Sequence, residues 1–228
     1  MTSTSDLKKT DRSQVKRLHL RGSYDRAAAN AILDSGLMCH VGYIIDGTPY
    51  VTPTCYWRDG DKVYWHGSSA SRMLRTVSGP VPVSFTVSHL DGLVLARSGF
   101  HHSVNYRSVM LFGEAHQVED ADEKLRTLEV FTERLTPGRW QEVRETTDQE
   151  LKGTTIVWMN IDEGAAKVRT GGPVDDEPDY DLDIWAGVVP ISTVIGAPIP
   201  DTRLKPGIAA PDYLNHISIG EIASVQPG

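Results

Sequence analysis

A turn between Tyr64 and Leu74 concentrates the residues best suited to bind an anion. The segment reads Tyr-Trp-His-Gly-Ser-Ser-Ala-Ser-Arg-Met-Leu, which predicts a strand that turns at His66-Gly67-Ser68 and enters a helix at Ser69 to Ser71. At such a junction the backbone N–H groups and the positive end of the helix dipole point the same way. Arg72 adds a guanidinium that can hold a phosphate through two parallel hydrogen bonds. We therefore predict a phosphate socket; the alternative is an exposed helix cation beside a solvated turn.

His66 stands at the end of the predicted strand, directly before this turn. There it could exchange a proton with a bound ligand, or it could simply hydrogen-bond to the backbone of the turn, and the sequence favours neither. His101 and His102 are adjacent, so on a strand they point to opposite faces and cannot readily chelate one metal ion. The remaining histidines show no ligand spacing, and we predict no structural metal site.

Three cations later in the chain than Arg72 could also meet an anion. Lys167 and Arg169 alternate on a predicted strand, so they share one face. This face could contact a cofactor phosphate or a substrate anion, or it could pair with the acidic loop that begins at Asp175. Arg107 precedes an apolar strand, and its alternative role is an ion pair at the rim of a barrel.

Composition argues against several classes of function. The chain has 228 residues and a formal net charge of -7, and no basic stripe suits a nucleic-acid backbone. Residues 1–21 are basic without an apolar run, which argues against a signal peptide, and no segment approaches the ~20 apolar residues of a membrane span. Cys39 and Cys55 lie in apolar strand patterns and are expected to be small core residues. We expect a cytoplasmic protein with no nucleic-acid or membrane partner.

Hairpin signals organise the middle of the chain. Asp-Gly pairs begin at Asp46, Asp59 and Asp91, and each is typical of a tight turn between antiparallel strands. Trp185 to Ile191 is expected to form one helical turn. The tally of six to eight strands with few helices predicts a mainly β protein, a closed or nearly closed antiparallel barrel with peripheral helices. A doubly wound nucleotide fold is disfavoured because regular helical crossovers and a Gly-rich fingerprint are missing.

Three segments together resemble the pyridoxamine 5′-phosphate oxidase-like superfamily of FMN-binding split barrels, and within it the branch that includes nitroimidazole-resistance proteins. The segments are His66-Gly-Ser-Ser-Ala-Ser-Arg72, Asn105-Tyr-Arg-Ser-Val-Met-Leu-Phe-Gly113, and Lys167-Val-Arg-Thr-Gly171 followed by Trp185-Ala-Gly-Val. Their order and spacing carry the resemblance. It implies an antiparallel split β-barrel domain at residues 23–195, after a basic leader at 1–22 and before an extended, proline-rich tail at 196–228.

The resemblance also implies an FMN site in a cleft between the two subunits of a homodimer. Ser71-Arg72-Met73 occupies the place of the Ser-Arg-Lys run that grips the phosphate in the oxidases, so Arg75 or Arg107 would have to supply the second charge. Ser108 stands where the oxidases have a Gln that reaches the cofactor, and Trp185 resembles the aromatic residue that closes over the flavin. The strand with Thr52, Pro53 and Thr54 would offer backbone groups to the edge of the ring. The implied cofactor-binding residues are Thr52, Pro53, Thr54, His66, Gly67, Ser68, Ser71, Arg72, Met73, Arg107, Ser108, Lys167, Arg169 and Trp185.

Three functions remain open from the sequence. The first is an FMN-dependent oxidoreductase that takes electrons from a reduced nicotinamide and passes them to a small organic acceptor, with His66 as the residue for proton transfer. The second is a non-catalytic protein that binds or sequesters flavin. The third is a haem-binding barrel on the same scaffold with a histidine as axial ligand. Oxidation of pyridoxamine phosphate is not expected, because the proline-rich tail lacks the Arg-rich segment with which the oxidases bind that substrate.

Overall fold

The chain folds around one antiparallel β-sheet. The computed structural model describes residues 5–76 and 79–219. Within them lie nine strands and four α-helices: β1 (Gly22–Ser23), α1 (Arg26–Asp34), β2 (Met38–Ile45), β3 (Thr48–Asp59), β4 (Lys62–Ser68), α2 (Arg72–Thr76), β5 (Val81–Leu95), β6 (Ser103–Gln117), α3 (Ala121–Leu135), α4 (Asp148–Gly153), β7 (Thr154–Asn160), β8 (Glu163–Arg169) and β9 (Gly187–Pro190). Short 3-10 turns connect several of these elements.

Six of the strands close into a ring. The sheet runs β1-β8-β6-β7-β4-β3-β2-β5-β9, and an additional pairing of β6 with β5 joins its two halves. The ring β2-β3-β4-β7-β6-β5 is therefore a barrel, with β8, β1 and β9 attached at its margins. The paired strands are antiparallel throughout. The predicted mainly β barrel with peripheral helices is confirmed.

Alternating apolar side chains fill the barrel. Val41, Trp65, Phe85 and Leu111 are fully buried in one large cluster, as expected where every second residue of a strand faces the core. Helix α1 contributes Ile32 and Leu33 to the same cluster, while α2 contributes Met73 and Leu74. A second cluster lies outside the ring, where α3 packs on Trp57, Tyr64 and Ile156. Helices therefore cover the barrel without interrupting its strand order.

Two of the three Asp-Gly pairs form tight turns. Gly47 and Gly60 have positive φ angles of 76° and 59°, which suit the turns between β2 and β3 and between β3 and β4. The prediction of a third hairpin at Asp91 was wrong. Strand β5 continues through Gly92, which pairs with Asn105 after a register shift, and the Asp91 carboxylate bonds to Arg107 across the strands. An ion pair and an extra residue thus make a bulge in place of a turn.

The segment after the acidic loop also differs from its prediction. Trp185 to Ile191 was expected to form a helical turn, but Gly187–Pro190 is strand β9, which pairs with Gly92–Leu95 of β5. The far half of β5 leaves an edge that β2 does not cover, because β2 pairs with β5 only at Ser84–Thr86. A short apolar segment therefore adds to the sheet there.

The segments before and after the barrel differ in how closely they pack against it. Leu7 is 3% exposed within the core, and its backbone N–H donates to the carbonyl of Tyr24, so part of the leader packs on the barrel. Residues 191–210 are exposed throughout and contain no helix or strand. None of the helices among the described residues has the length and apolar character needed to cross a membrane.

Candidate functional site

An opening in the barrel lies between β3 and β4. The two strands pair from Asp59 and Lys62 up to Tyr56 and Trp65, and their pairing ends there. Beyond this point β3 pairs with β2 alone, and the end of β4 pairs with β7. The released half of β3 carries Thr52, Pro53 and Thr54, and the end of β4 carries His66, Gly67 and Ser68. These six predicted site residues therefore line two diverging strands.

Arg72 lies at this opening. Its guanidinium carbon is 5.2 Å from the centre of the Tyr50 ring, and Tyr50 stacks on Tyr43 with ring centres 5.6 Å apart. The Tyr43 hydroxyl is in turn 2.9 Å from the Thr52 hydroxyl. Cation–π contact with Tyr50 orients the exposed guanidinium without neutralising its charge. The structure thus brings Arg72 to the same end of β3 as Thr52.

The backbone of the turn differs from a free anion socket. The N–H of Ser69 donates to the Gly153 carbonyl at 3.0 Å, and that of Ser71 to the Ser68 carbonyl at 2.8 Å. The Ser68 and Ser71 hydroxyls accept from the N–H groups of Ala70 and Leu74. These four amides are therefore used within the chain, and positive charge for an anion would come from Arg72 and Arg75, which are both exposed. Met73 is 7% exposed and packs in the core, pointing away from the opening.

His66 lies on the opposite side of the strand, under α3. Its ring centre is 4.8 Å from Phe131 and 5.7 Å from Trp57. Its Nδ1 is buried and finds no hydrogen-bond partner among the described residues, and neither does Nε1 of Trp57. Burial lowers the pKa of His66, so the imidazole is neutral at physiological pH. A neutral ring with an unused nitrogen in an aromatic pocket is suited to ligate a metal centre or to accept a proton.

Arg107 belongs to a different part of the barrel. It makes two 2.8 Å hydrogen bonds to the Asp91 carboxylate, and it pairs across the sheet with His89. His89 lies eight residues from the end of β5 that follows α2, which is roughly 25 Å along a strand. A cavity of about 460 Å³ adjoins Arg107, lined also by His89, Asp91 and Ile191. Within one chain Arg107 is therefore not brought together with Arg72.

The remaining predicted site residues lie on β6, on β8 or beyond β8. The Ser108 hydroxyl donates to the Lys167 carbonyl at 3.3 Å. Arg169 is 8% exposed and bonds to Asn105 and to the carbonyls of Gly171 and Gly172. Trp185 is 67% exposed, and its ring covers Gly187, where an added Cβ would lie 3.0 Å from the ring. The structure does not gather these residues at the opening of the same chain.

Sequence reasoning missed the aromatic residues that hold the two central side chains. Tyr50 lies under the guanidinium of Arg72. The sequence feature that could have indicated its role is its place opposite Tyr43 in the β2–β3 hairpin. Trp57 and Phe131 enclose His66, and the apolar face of α3 gave only a general indication of packing.

Among the described residues, no group of three His, Cys, Asp or Glu side chains could hold a metal ion.

The chain matches the model of a known protein family. The model of the family described as pyridoxamine 5′-phosphate oxidase matches residues 25–168, well over half of the chain. The chain belongs to this family. A search of curated protein sequences found no match.

Solved structures add nearer relatives. The flavocytochrome Anf3 from Azotobacter vinelandii is 43% identical, with a TM-score of 0.89 over 92% of this chain and 98% of that one. The FAD and heme binding protein from Mycobacterium smegmatis is 34% identical, with a TM-score of 0.83 over 87% and 97% of the two chains. A nitroimidazole antibiotic resistance protein from Bacteroides thetaiotaomicron, described as putative, is 21% identical and has a TM-score of 0.55 over 64% and 86%, which supports the fold alone.

Proposed function

We propose that the protein is a redox protein that binds a flavin nucleotide and a haem. The observation that carries the proposal is the neutral, partly buried imidazole of His66, whose buried Nδ1 has no partner among the described residues. Two relatives that match nine-tenths of the chain are a flavocytochrome and a FAD- and haem-binding protein. A core histidine would also pack among aromatic rings, so the choice of haem rests on the unpartnered Nδ1 together with these two relatives.

Arg72 is the residue that we assign to the flavin phosphate. It is exposed, it is oriented by Tyr50, and it lies at the opening bounded by the released half of β3. Arg75 is exposed one turn further along α2, so the two guanidiniums can face two phosphate groups. This pair favours FAD, which the relative from M. smegmatis binds, over the FMN that the sequence resemblance implied. The backbone of Thr52 to Thr54 has one unpaired edge that could contact the polar rim of the ring.

His66 is the residue that we assign to the haem iron. A neutral imidazole is the form that ligates a metal, and burial keeps His66 in that form at pH 7. The Trp57 and Phe131 rings beside it supply the apolar, water-excluding walls that a haem macrocycle requires. When bound, the flavin would accept two electrons and the haem iron one at a time. Among the chain's own residues, His66 would hold the iron and Arg72 would hold the nucleotide.

A homodimer completes the proposal. Met38, Ile44, Val51 and Met110 are 46–67% exposed and project from one face of β2, β3 and β6, since Met38 and Ile44 alternate with buried residues. Apolar exposure on this scale is typical of an interaction surface. The second copy would bring Trp185, Ser108 or Arg107 toward the flavin, because one chain leaves them away from Arg72. A reduced nicotinamide as donor and a small organic acceptor remain part of the proposed oxidoreductase activity.

Anaerobic reduction tests this function. The protein loaded with flavin and haem would be mixed with NADH or NADPH in a stopped-flow spectrometer. We expect the flavin absorbance to bleach first and the haem spectrum to shift to the reduced form afterwards, followed by reoxidation when an acceptor is added. Bound cofactors that neither nicotinamide reduces would favour a flavin-sequestering protein, and failure to bind either cofactor would reject the proposal.

A further inference from the structure

Arg169 is a buried cation that no carboxylate neutralises in the described part of the chain. It is 8% exposed, and its terminal nitrogens donate only to neutral acceptors: the Asn105 side chain and the carbonyls of Gly171 and Gly172. Its Nε is buried and has no hydrogen-bond partner among these residues. Burying a guanidinium without a counter-ion is unfavourable, so an anion that bound here would recover a large part of that cost.

The acidic loop beside Arg169 does not supply the counter-ion. Asp175 accepts from the Arg97 backbone at 2.9 Å and from its guanidinium at 3.1 Å. Asp176 lies 3.3 Å from Nε2 of His101. Both carboxylates are therefore turned to other partners, and the pairing of Arg169 with this loop that the sequence left open does not form.

Two further cations lie near Arg169. Lys167 is two residues away on β8 and shares a face with it. Arg21 directly precedes β1, whose Gly22 pairs with Lys167, and the charge of Arg21 adds to burial in lowering the pKa of Arg169. The ion pairs of the described residues include none of these three cations. Their charges therefore add to a positive potential with no acidic partner.

We propose that Arg169, Lys167 and Arg21 bind a phosphate group of a small ligand at a site separate from Arg72. A planar guanidinium whose Nε has no partner among the described residues, together with two flexible cations, suits a tetrahedral, multiply charged oxyanion. In the proposed redox function, on which this assignment rests, the nicotinamide electron donor carries such a group. The site itself follows from the unpaired charges and does not depend on which nucleotide binds.

Calorimetric titration with inorganic pyrophosphate tests the site. The protein would be saturated with flavin and titrated at low ionic strength, so that the Arg72 site is already filled. We expect one site per chain. Arg169→Gln should raise the dissociation constant at least tenfold, and Lys167→Gln and Arg21→Gln about threefold each, while Lys205→Gln, an exposed cation of the tail, should have no effect.

The outcomes separate this proposal from the proposed function. If the protein takes up no flavin, the same titration on the Arg72→Gln, Arg75→Gln double variant still tests the site, because the cations assigned to the flavin phosphates are then removed and one pyrophosphate site per chain should remain. Weaker NADP⁺ binding by Lys167→Gln at full flavin occupancy would identify the donor as the ligand, whereas weaker flavin binding by the same variant would overturn a site separate from the flavin. If Arg169→Gln does not fold, the double variant Lys167→Gln, Arg21→Gln is titrated with pyrophosphate in its place. Unchanged pyrophosphate binding in that double variant, or none in the wild type, would overturn the site.

Discussion

The guanidinium of Arg72 lies over the ring of Tyr50, with 5.2 Å between the guanidinium carbon and the ring centre. This contact joins the short helix α2 to the released half of β3, the two sides of the barrel opening. It keeps a charged group exposed and oriented at one place. The assignment of a nucleotide phosphate to this opening depends on that arrangement.

Replacing Arg72 should release the flavin. Arg72→Ala removes the one oriented guanidinium at the opening, and we expect the flavin dissociation constant to rise at least tenfold, about 1.4 kcal/mol or more. Flavin fluorescence quenching measures the binding. Arg203→Ala is the matched control, because Arg203 is an exposed cation of the tail. Full flavin occupancy in a folded Arg72→Ala protein would remove Arg72 from the site.

Replacing Tyr50 should weaken binding by a smaller factor. Tyr50→Leu keeps an apolar side chain but removes the aromatic face, and an exposed cation–π contact is worth about 0.5–1 kcal/mol. We expect the flavin dissociation constant to rise about threefold, with the melting temperature followed in parallel. If Tyr50→Leu binds flavin as tightly as the wild type, orientation by the ring contributes nothing to the affinity.

His66 should be needed for haem and not for flavin. His66→Ala removes the partly buried imidazole, and we expect haem occupancy after reconstitution to fall at least tenfold while flavin affinity stays within twofold. His116→Ala is the control, because that ring stacks on Trp158 with centres 4.5 Å apart and has no assigned ligand role. Haem bound equally well by His66→Ala and lost from His116→Ala would transfer the role to His116.

Stability should fall as the pH drops from 7 to 5. Burial lowers the pKa values of His66 and His89, so below the unfolded value of about 6.5 the unfolded chain binds protons that the folded chain does not. The free energy of unfolding, measured with urea, therefore decreases through this window and levels off above it. The double variant His66→Gln, His89→Gln should show a shallower slope, and an unchanged slope would assign the effect to other groups.

A glycine in β8 should resist substitution. A Cβ at Gly164 would lie 2.4 Å from the Met110 carbonyl oxygen and 2.8 Å from a Leu111 methyl carbon, so Gly164→Ala forces two paired strands apart. We expect a loss of about 3 kcal/mol in the free energy of unfolding. Gly153→Ala, where the added methyl meets nothing within 4 Å, should change stability little. Equal stability of the two variants would contradict the close approach of β6 and β8.

Local patterns predicted most of the strands, and long-range contacts explain the exceptions. Asp46-Gly47 and Asp59-Gly60 form turns with Gly47 and Gly60 at positive φ, although the Asp59 carboxylate also pairs with Arg126 of α3. Asp91-Gly92 has the same local preference, but the Asp91 carboxylate pairs with Arg107 of the next strand. A residue pattern confined to one segment cannot show that partner.

In the candidate site, too, local patterns predicted some features, and long-range contacts determine the others. Alternation along β4 places His66 opposite Trp65 across the strand, but only the packing of α3 shows that an aromatic pocket encloses it. Arg72 was found from its position after the serine-rich turn, whereas its support by Tyr50 comes from a strand distant in sequence. The burial of Arg169 without a counter-ion is likewise a property of the whole fold, which explains why its face remained ambiguous from the sequence.

The absorbance spectrum of the protein after reconstitution tests the central claim most directly. The wild-type chain would be incubated with FAD and haemin, passed through a desalting column and scanned from 300 to 600 nm, roughly the range that covers both cofactors. We predict flavin bands and a Soret band together, each close to one equivalent per chain, with mass spectrometry identifying FAD. A folded protein that emerges colourless, or that carries a Soret band unchanged in His66→Ala and flavin unchanged in Arg72→Ala, would contradict the account.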